Sequence, residues 1–176
     1  MKLNYFLILL FLVAGCTQIQ PRRPINPKPS TTIYKQAIEE NKKLNKIEEE
    51  KILALIARDS TKNYIQSSEG YWYTYINKVN DSLVQPKSGD EVVLNYNVTD
   101  LNDVIIYSKE QIGEKTYVVD KEDIISGLQK GIKLMKMGET ITFVIPSYNA
   151  YGITGDGNKI GLNQSIKSTV TLINIK

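Results

Sequence analysis

The stretch from Asp123 to Gly152 decides the fold, and it reads DIISGLQKGIKLMKMGETITFVIPSYNAYG. Apolar residues recur through its first half at the spacing of one buried helical stripe, at Ile124, Ile125, Leu128, Ile132 and Met135. In the second half the period changes to two, which predicts a strand over residues 140–145. Pro146 has no N–H for a strand ladder, so the strand should end there and be followed by a loop with Tyr148 and Tyr151.

The predicted helix contains two glycines and is followed by a third. Gly127 and Gly131 lie one turn apart on nearly the same side. Each glycine inside a helix costs about 1 kcal/mol relative to alanine, so the pair predicts that another part of the chain approaches the helix backbone closely. Gly138 follows the last apolar residue and is predicted to take the left-handed position at the end of the helix.

Three segments, in order, resemble the FKBP-type peptidyl-prolyl isomerases. Residues 124–128 resemble the helix start V-I-x-G-W, residues 131–139 the segment G-x-x-x-M-x-x-G-E, and residues 146–152 the loop I-P-x-x-x-A-Y-G. The resemblance extends over residues 86–176 and implies an α+β fold in which an antiparallel β-sheet wraps around one short helix. Several alternating segments besides residues 140–145 indicate the same architecture independently, because many strands with one inserted helix favour an antiparallel sheet. We assign this domain to residues 61–176.

The resemblance also implies a substrate pocket. Tyr96 matches the tyrosine on the strand that lines it, the backbone N–H of Ile125 would hold a substrate carbonyl, and the hydroxyl of Tyr151 would bond the substrate. We predict these three as the catalytic residues. The further predicted substrate-binding residues are Ile106, Tyr107, Tyr117, Ile124, Leu128, Ile160 and Ser168.

Four departures from the family pattern involve five positions. Leu128 replaces the usual tryptophan of the pocket floor, and Ile106-Tyr107 replaces a Phe-Asp pair, so a carboxylate is missing. Ser168 and Lys115 stand where aromatic residues are typical. These departures leave two alternatives to catalysis: plain core packing of the pocket residues, and a binding module that holds a partner segment without turnover.

Prolyl isomerisation requires no ionisable catalyst. Its barrier of about 18–20 kcal/mol comes from amide resonance, so a dry pocket that prefers the twisted amide can lower it. The chain has no histidine and one cysteine, which is compatible with this chemistry and removes the commonest metal ligand. We therefore predict no cofactor and no metal. The run Gly155–Asn158 hints at a calcium loop but lacks the further acids, so a flexible turn is the preferred interpretation.

The N-terminus has the features of a bacterial lipoprotein. Residues 1–15 are predicted as the signal peptide, with Lys2, an apolar run and a Val13–Cys16 lipobox that makes Cys16 the lipidated residue. A plain signal peptide or a spanning helix is the alternative, but the apolar run is short for a bilayer. Residues 16–32 contain four prolines and predict an extended tether.

Residues 33–60 predict a long amphipathic helix. Its apolar stripe is sparse at first and dense over Ile52–Ile56, so we expect the second half to dock on the globular domain. A homodimer through this helix, as in some secreted FKBP-type proteins, is the alternative, but too few heptads are sustained to favour it.

The net charge of +3 gives no electrostatic case for nucleic-acid binding.

The whole chain resembles the gliding-motility-associated lipoproteins of the FKBP class. That resemblance implies a membrane-tethered isomerase of the bacterial cell envelope, facing the periplasm, whose partners are proline-containing segments of exported proteins and the membrane that receives the lipid anchor. A structural lipoprotein of an envelope machine is a further alternative.

Overall fold

The computed structural model describes residues 31–79 and 84–176. The chain divides into two units, Met1–Ala37 and Ile38–Lys176. Of the first unit, residues 31–37 are described, and they are helical. The predicted signal peptide, the lipidated Cys16 and the tether as far as residue 30 lie outside the described residues.

The predicted N-terminal helix, α1, spans Thr31–Arg58 and so begins two residues before the expected start. The described part of the second unit adds eight strands, two short α-helices and one 3₁₀ helix at Ser147–Asn149. The helices are α2 Lys109–Ile112 and α3 Ser126–Ile132. The strands are β1 Ile65–Gln66, β2 Trp72–Asn77, β3 Glu91–Tyr96, β4 Val98–Thr99, β5 Ile105–Tyr107, β6 Lys115–Val118, β7 Thr140–Ile145 and β8 Ile166–Ile175.

The strands form one antiparallel sheet in the order β1-β2-β7-β8-β3-β6, with β4 pairing to β5 and β8. Strand β7 ends before Pro146, as its missing N–H predicts. One face of the sheet packs on α3, where Leu128 and Ile132 are buried together with Phe143 and Ile145. The many strands around one short helix confirm the predicted α+β architecture.

The opposite face of the sheet carries the second half of α1. Ile52 is completely buried there against Trp72 and Val144. Earlier in the same unit, Leu44 and Ile47 remain half exposed. The predicted docking of the second half of α1 is therefore confirmed, because its dense apolar stripe meets an apolar strip of sheet. None of the helices over residues 31–79 and 84–176 combines the length and apolar content needed to cross a membrane.

The end of the central helix differs from the prediction. Helix α3 stops at Ile132, because Leu134 and Met135 donate to carbonyls three residues back, to Gly131 and Ile132, in tight turns. Met135 is nevertheless fully buried. Gly138 has the expected positive φ of 85° but does not cap the helix. Its N–H donates to the Leu172 carbonyl of β8 at 2.7 Å, so the glycine starts the turn into β7.

Candidate active site

The two helix glycines allow α3 to lie directly against β7. A Cβ atom on Gly127 would lie 2.6 Å from Cγ2 of Ile145, and one on Gly131 would lie 2.6 Å from Cε1 of Phe143. Real Cβ atoms do not approach other atoms this closely, so the predicted close approach is confirmed. It places Ile125, the N-cap residue of α3, beside the end of β7.

The three predicted catalytic residues all pack against the main hydrophobic cluster of the domain. Tyr96 ends β3, Ile125 precedes α3, and Tyr151 lies in the loop of residues 146–152, which we call the tyrosine loop. All three are partly buried and pack on the same hydrophobic cluster. Burial raises the pKa of Tyr151, and the nearby Tyr96, Asp156 and Tyr107 raise it further.

These residues present unused hydrogen-bond donors. Among the described residues, neither the hydroxyl of Tyr96 nor that of Tyr151 has a hydrogen-bond partner, and the N–H of Ile125 has none. Burial also raises the pKa of Tyr96. Half-buried phenols with raised pKa values stay protonated at neutral pH, so both can donate to a carbonyl oxygen.

Among the predicted substrate-binding residues, three are almost fully buried, and three others, which we call the rim residues, are partly buried. Leu128, Tyr117 and Ile160 are almost fully buried in the core cluster. The Tyr117 hydroxyl accepts a hydrogen bond from the N–H of Asp120 at 3.2 Å. The rim residues are partly buried and pack on the same cluster, and they are Ile106, Tyr107 and Ile124.

Ser168 has a different environment. It is completely buried in β8, opposite Phe143 of β7. Its hydroxyl donates to the carbonyl of Asn97 at 2.8 Å, so this group is already used within the sheet. A serine where an aromatic residue is typical therefore contributes sheet bonding and no aromatic wall.

Asp156 is a residue that the sequence analysis missed, since it interpreted Gly155–Asn158 as a flexible turn. One oxygen of its carboxylate accepts from the N–H groups of Asn158 and Ile160, at 2.9 and 2.8 Å, and the other accepts a short hydrogen bond from the Tyr107 hydroxyl. Burial raises the pKa of Asp156, but the bonds from Tyr107 and the two N–H groups outweigh it and leave the pKa below its usual value. A carboxylate thus reaches the rim through Tyr107, at the position where the family has its aspartate. The sequence feature that could have identified Asp156 is the combination of Tyr107, at the position of the family's aspartate, with an aspartate in the loop after Tyr151.

Lys159 completes this rim. Its Nζ lies 4.9 Å from the centre of the Tyr107 ring and donates to the Ile106 carbonyl at 3.2 Å. Lys115, at the other position where an aromatic residue was expected, is exposed at the start of β6. Over residues 31–79 and 84–176, no group of three or more His, Cys, Asp or Glu side chains is arranged to hold a metal ion.

Two cavities lie elsewhere, along α1. One of about 330 Å³ lies between Leu44, Ile47 and Ile153, and one of about 670 Å³ is lined by Arg58 and Lys167 among others. Neither is lined by Tyr96, Ile125 or Tyr151. The candidate site is therefore defined by shared core packing and free donors, and not by these cavities.

The amino-acid sequence matches the model of a known protein family. The model of the FKBP-type peptidyl-prolyl cis-trans isomerases matches residues 83–173, just over half of the chain. A protein of Neisseria meningitidis serogroup B, named as a probable FKBP-type peptidyl-prolyl cis-trans isomerase FkpA, is 29% identical over 141 residues. That match covers 80% of this chain and 51% of the relative, so the chain spans about half of that protein's length.

Two further proteins, one matched by sequence and one by structure, are similar to this chain. The outer membrane protein MIP of Legionella longbeachae is 26% identical over 160 residues, which are 91% of this chain and 67% of that protein. The crystal structure of a peptidyl-prolyl cis-trans isomerase from Pseudomonas syringae pv. tomato superposes with a TM-score of 0.61 at 20% identity, covering 77% of this chain and 95% of the other. At that identity the superposition establishes the fold, and the family model establishes the membership. The chain belongs to the FKBP-type peptidyl-prolyl cis-trans isomerase family.

Proposed function

We propose that the protein is a membrane-tethered peptidyl-prolyl cis-trans isomerase that assists the folding of exported proteins. The observation that supports this proposal is that Tyr96, Ile125 and Tyr151 are all partly buried against the same hydrophobic cluster and carry donors without a partner among the described residues. Family membership supports the same activity.

The reaction needs shape and desolvation more than acid–base chemistry. In the transition state the prolyl amide is twisted and its carbonyl is less dipolar than in the planar form, so an apolar surface favours it over the planar amide. Leu128, Ile160 and Tyr117 would contact the proline ring. The N–H of Ile125 and the Tyr151 hydroxyl would hold flanking carbonyls. Each preference of about 1.4 kcal/mol for the twisted amide accelerates the reaction about tenfold.

The rim pair of Tyr107 and Asp156 gives this site its own electrostatics. The hydrogen bond to Asp156 raises the pKa of Tyr107, which therefore stays a neutral phenol that already donates its proton. The nearest negative charge is on the Asp156 carboxylate, behind the Tyr107 phenol. A substrate carbonyl beside Tyr107 is therefore further from a negative charge than it would be beside an aspartate at position 107. We expect turnover to depend on apolar contacts and free donors more than on a carboxylate at the rim.

A second candidate function is binding without turnover. Two departures from the family pattern favour binding without turnover. Leu128 replaces a tryptophan, and Ser168, whose hydroxyl is already bonded within the sheet, replaces an aromatic residue. Both replacements reduce the aromatic surface that would enclose the proline. An NMR exchange assay on an Ala-Leu-Pro-Phe peptide with the full-length chain separates the two. Acceleration of cis-trans exchange supports the isomerase, whereas chemical-shift changes without acceleration support the binding module.

We further propose that lipidated Cys16 anchors the protein in the bacterial cell envelope, on the periplasmic side, and that its clients include gliding-motility components. The lipobox at residues 13–16 and the name of the Legionella relative, an outer membrane protein, support the envelope location, and the clients are proposed from the resemblance to the gliding-motility-associated lipoproteins alone. Cys16→Ala should move the protein from the membrane to the soluble fraction, as measured by ultracentrifugation. Continued membrane association of the Cys16→Ala variant would contradict lipid anchoring.

A further inference from the structure

Glu48 of α1 binds the start of the tyrosine loop. One of its carboxylate oxygens accepts hydrogen bonds from the Ser147 backbone N–H, at 2.8 Å, and from the Ser165 hydroxyl. The other oxygen accepts from the Ser147 hydroxyl at 2.9 Å. Hydrogen bonds to a carboxylate are stronger than those between neutral groups, and here three of them meet on one side chain.

Ser147 in turn organises the backbone around Tyr151. Its carbonyl accepts from the N–H of Ala150 at 2.9 Å and from the N–H of Gly152 at 2.8 Å. These two residues flank Tyr151 directly. Because the Tyr151 hydroxyl has no partner among the described residues, the place of its ring depends on this backbone and on its packing against the core.

The same loop is tied to the other half of the candidate site. Asn149 donates its amide to the carbonyls of Glu69 and Gly70, at 3.0 and 2.9 Å. Its amide oxygen accepts from the Ser126 hydroxyl at 3.1 Å. Ser126 follows Ile125 directly, so the loop position fixes the relation between Tyr151 and Ile125.

Glu48 lies outside residues 83–173, the part of the chain that matches the family model. The contact is therefore a feature that α1 adds to the family domain. We propose that Glu48 is a positioning residue, which holds Ser147 and thereby sets the place of Tyr151 in the candidate active site. This inference rests on the proposed function only for its effect on turnover, since the ordering of the loop can be measured without any substrate.

Hydrogen–deuterium exchange of the full-length chain tests the ordering. We compare the wild type with Glu48→Ala, Glu48→Gln and Glu50→Ala. Glutamine keeps one oxygen for the Ser147 N–H and can donate its amide to the Ser147 hydroxyl, so it should restore the contact. Glu50 is an exposed neighbour on the same helix, at the 4.0 Å limit of an ion pair with Lys46, and serves as the matched control.

We expect residues 147–152 to exchange about tenfold faster in Glu48→Ala, because the hydrogen bonds to the carboxylate are lost. Exchange in Glu48→Gln and Glu50→Ala should stay close to wild type. Unchanged exchange of this segment in Glu48→Ala would overturn the inference. Faster exchange throughout the sheet would also overturn it, because the role would then be general stability. Should Glu48→Ala unfold, Glu48→Gln decides the question: exchange of residues 147–152 close to wild type supports the inference through rescue, and faster exchange of this segment in Glu48→Gln would overturn it.

Turnover supplies the second measurement. If Glu48 acts through Tyr151, Glu48→Ala should lower kcat/KM about three- to tenfold in the wild type but less than twofold in a Tyr151→Phe background. An undiminished loss in that background would show that Glu48 acts elsewhere. A wild-type protein without isomerase activity would refute the proposed function, and the exchange experiment would still decide whether Glu48 orders the loop.

Discussion

Replacing Gly131 with alanine should destabilise the protein, although alanine is the better helix former. In an open helix the change would stabilise by about 1 kcal/mol. Here the new Cβ would lie 2.6 Å from Cε1 and 2.9 Å from Cζ of Phe143. The Phe143 ring has little room to move, because Tyr71 packs edge-on against it at 5.8 Å between ring centres and Tyr73 lies at 6.4 Å.

Overpacking of a filled core costs about 1–3 kcal/mol, which exceeds the helix gain in most of that range. We therefore expect a net loss of about 1 kcal/mol in the free energy of unfolding, measured by urea denaturation with the slope unchanged. Adding Phe143→Leu removes the clashing ring atoms. The two substitutions should then be non-additive by about 1 kcal/mol, with the double variant more stable than the sum of the single changes predicts.

Gly161→Ala is the matched control. A Cβ there would meet only the Gln164 side chain, at 3.4 Å, so the stability should change by less than about 0.5 kcal/mol. A Gly131→Ala variant as stable as the wild type or more stable would refute the reasoning, because it would mean that α3 can move away from β7. Strict additivity with Phe143→Leu would refute it as well.

Two further predictions concern the site. Tyr151→Phe should lower kcat/KM by about two- to tenfold, since one neutral hydrogen bond is lost while the ring packing remains; an unchanged rate in the NMR exchange assay would remove Tyr151 from the site. The pH profile of kcat/KM should be flat between about pH 6 and 9. The pKa values of Tyr96, Tyr107 and Tyr151 are raised above 10.0, that of Asp156 is lowered below 3.8, and the chain has no histidine, so none of these four groups gains or loses a proton in this range. A bell-shaped profile with a midpoint near neutrality would contradict this assignment.

Much of the fold was predictable because it is written in local patterns. The change of period between residues 123 and 145 predicted a helix followed by a strand, and both are present. Gly127 and Gly131 predicted a close approach, since glycine within a helix is costly unless something needs the space. The family motifs predicted Tyr96, Ile125 and Tyr151 as site residues, and in the structure all three pack against the main hydrophobic cluster.

The end of α3 and the role of Gly138 were not predictable from the same patterns. A buried stripe shows which residues face the core, but Met135 remains buried after the helix has ended. The bond from the Gly138 N–H to Leu172 joins residues that are distant in sequence. No local pattern contains such a partner.

The amino-acid sequence by itself determined the central helix and the strand after it, the family resemblance and the apolar half of α1 that docks, because periodicity, glycine placement and motif spacing are local properties. Only the tertiary structure decided how charge and polarity are arranged around the site. It brought Asp156 to Tyr107 and Glu48 to Ser147, the second pair 99 residues apart. The physical reason is that a hydrogen bond depends on distances of about 3 Å in space, which the folded sheet and α1 set and which sequence separation does not encode.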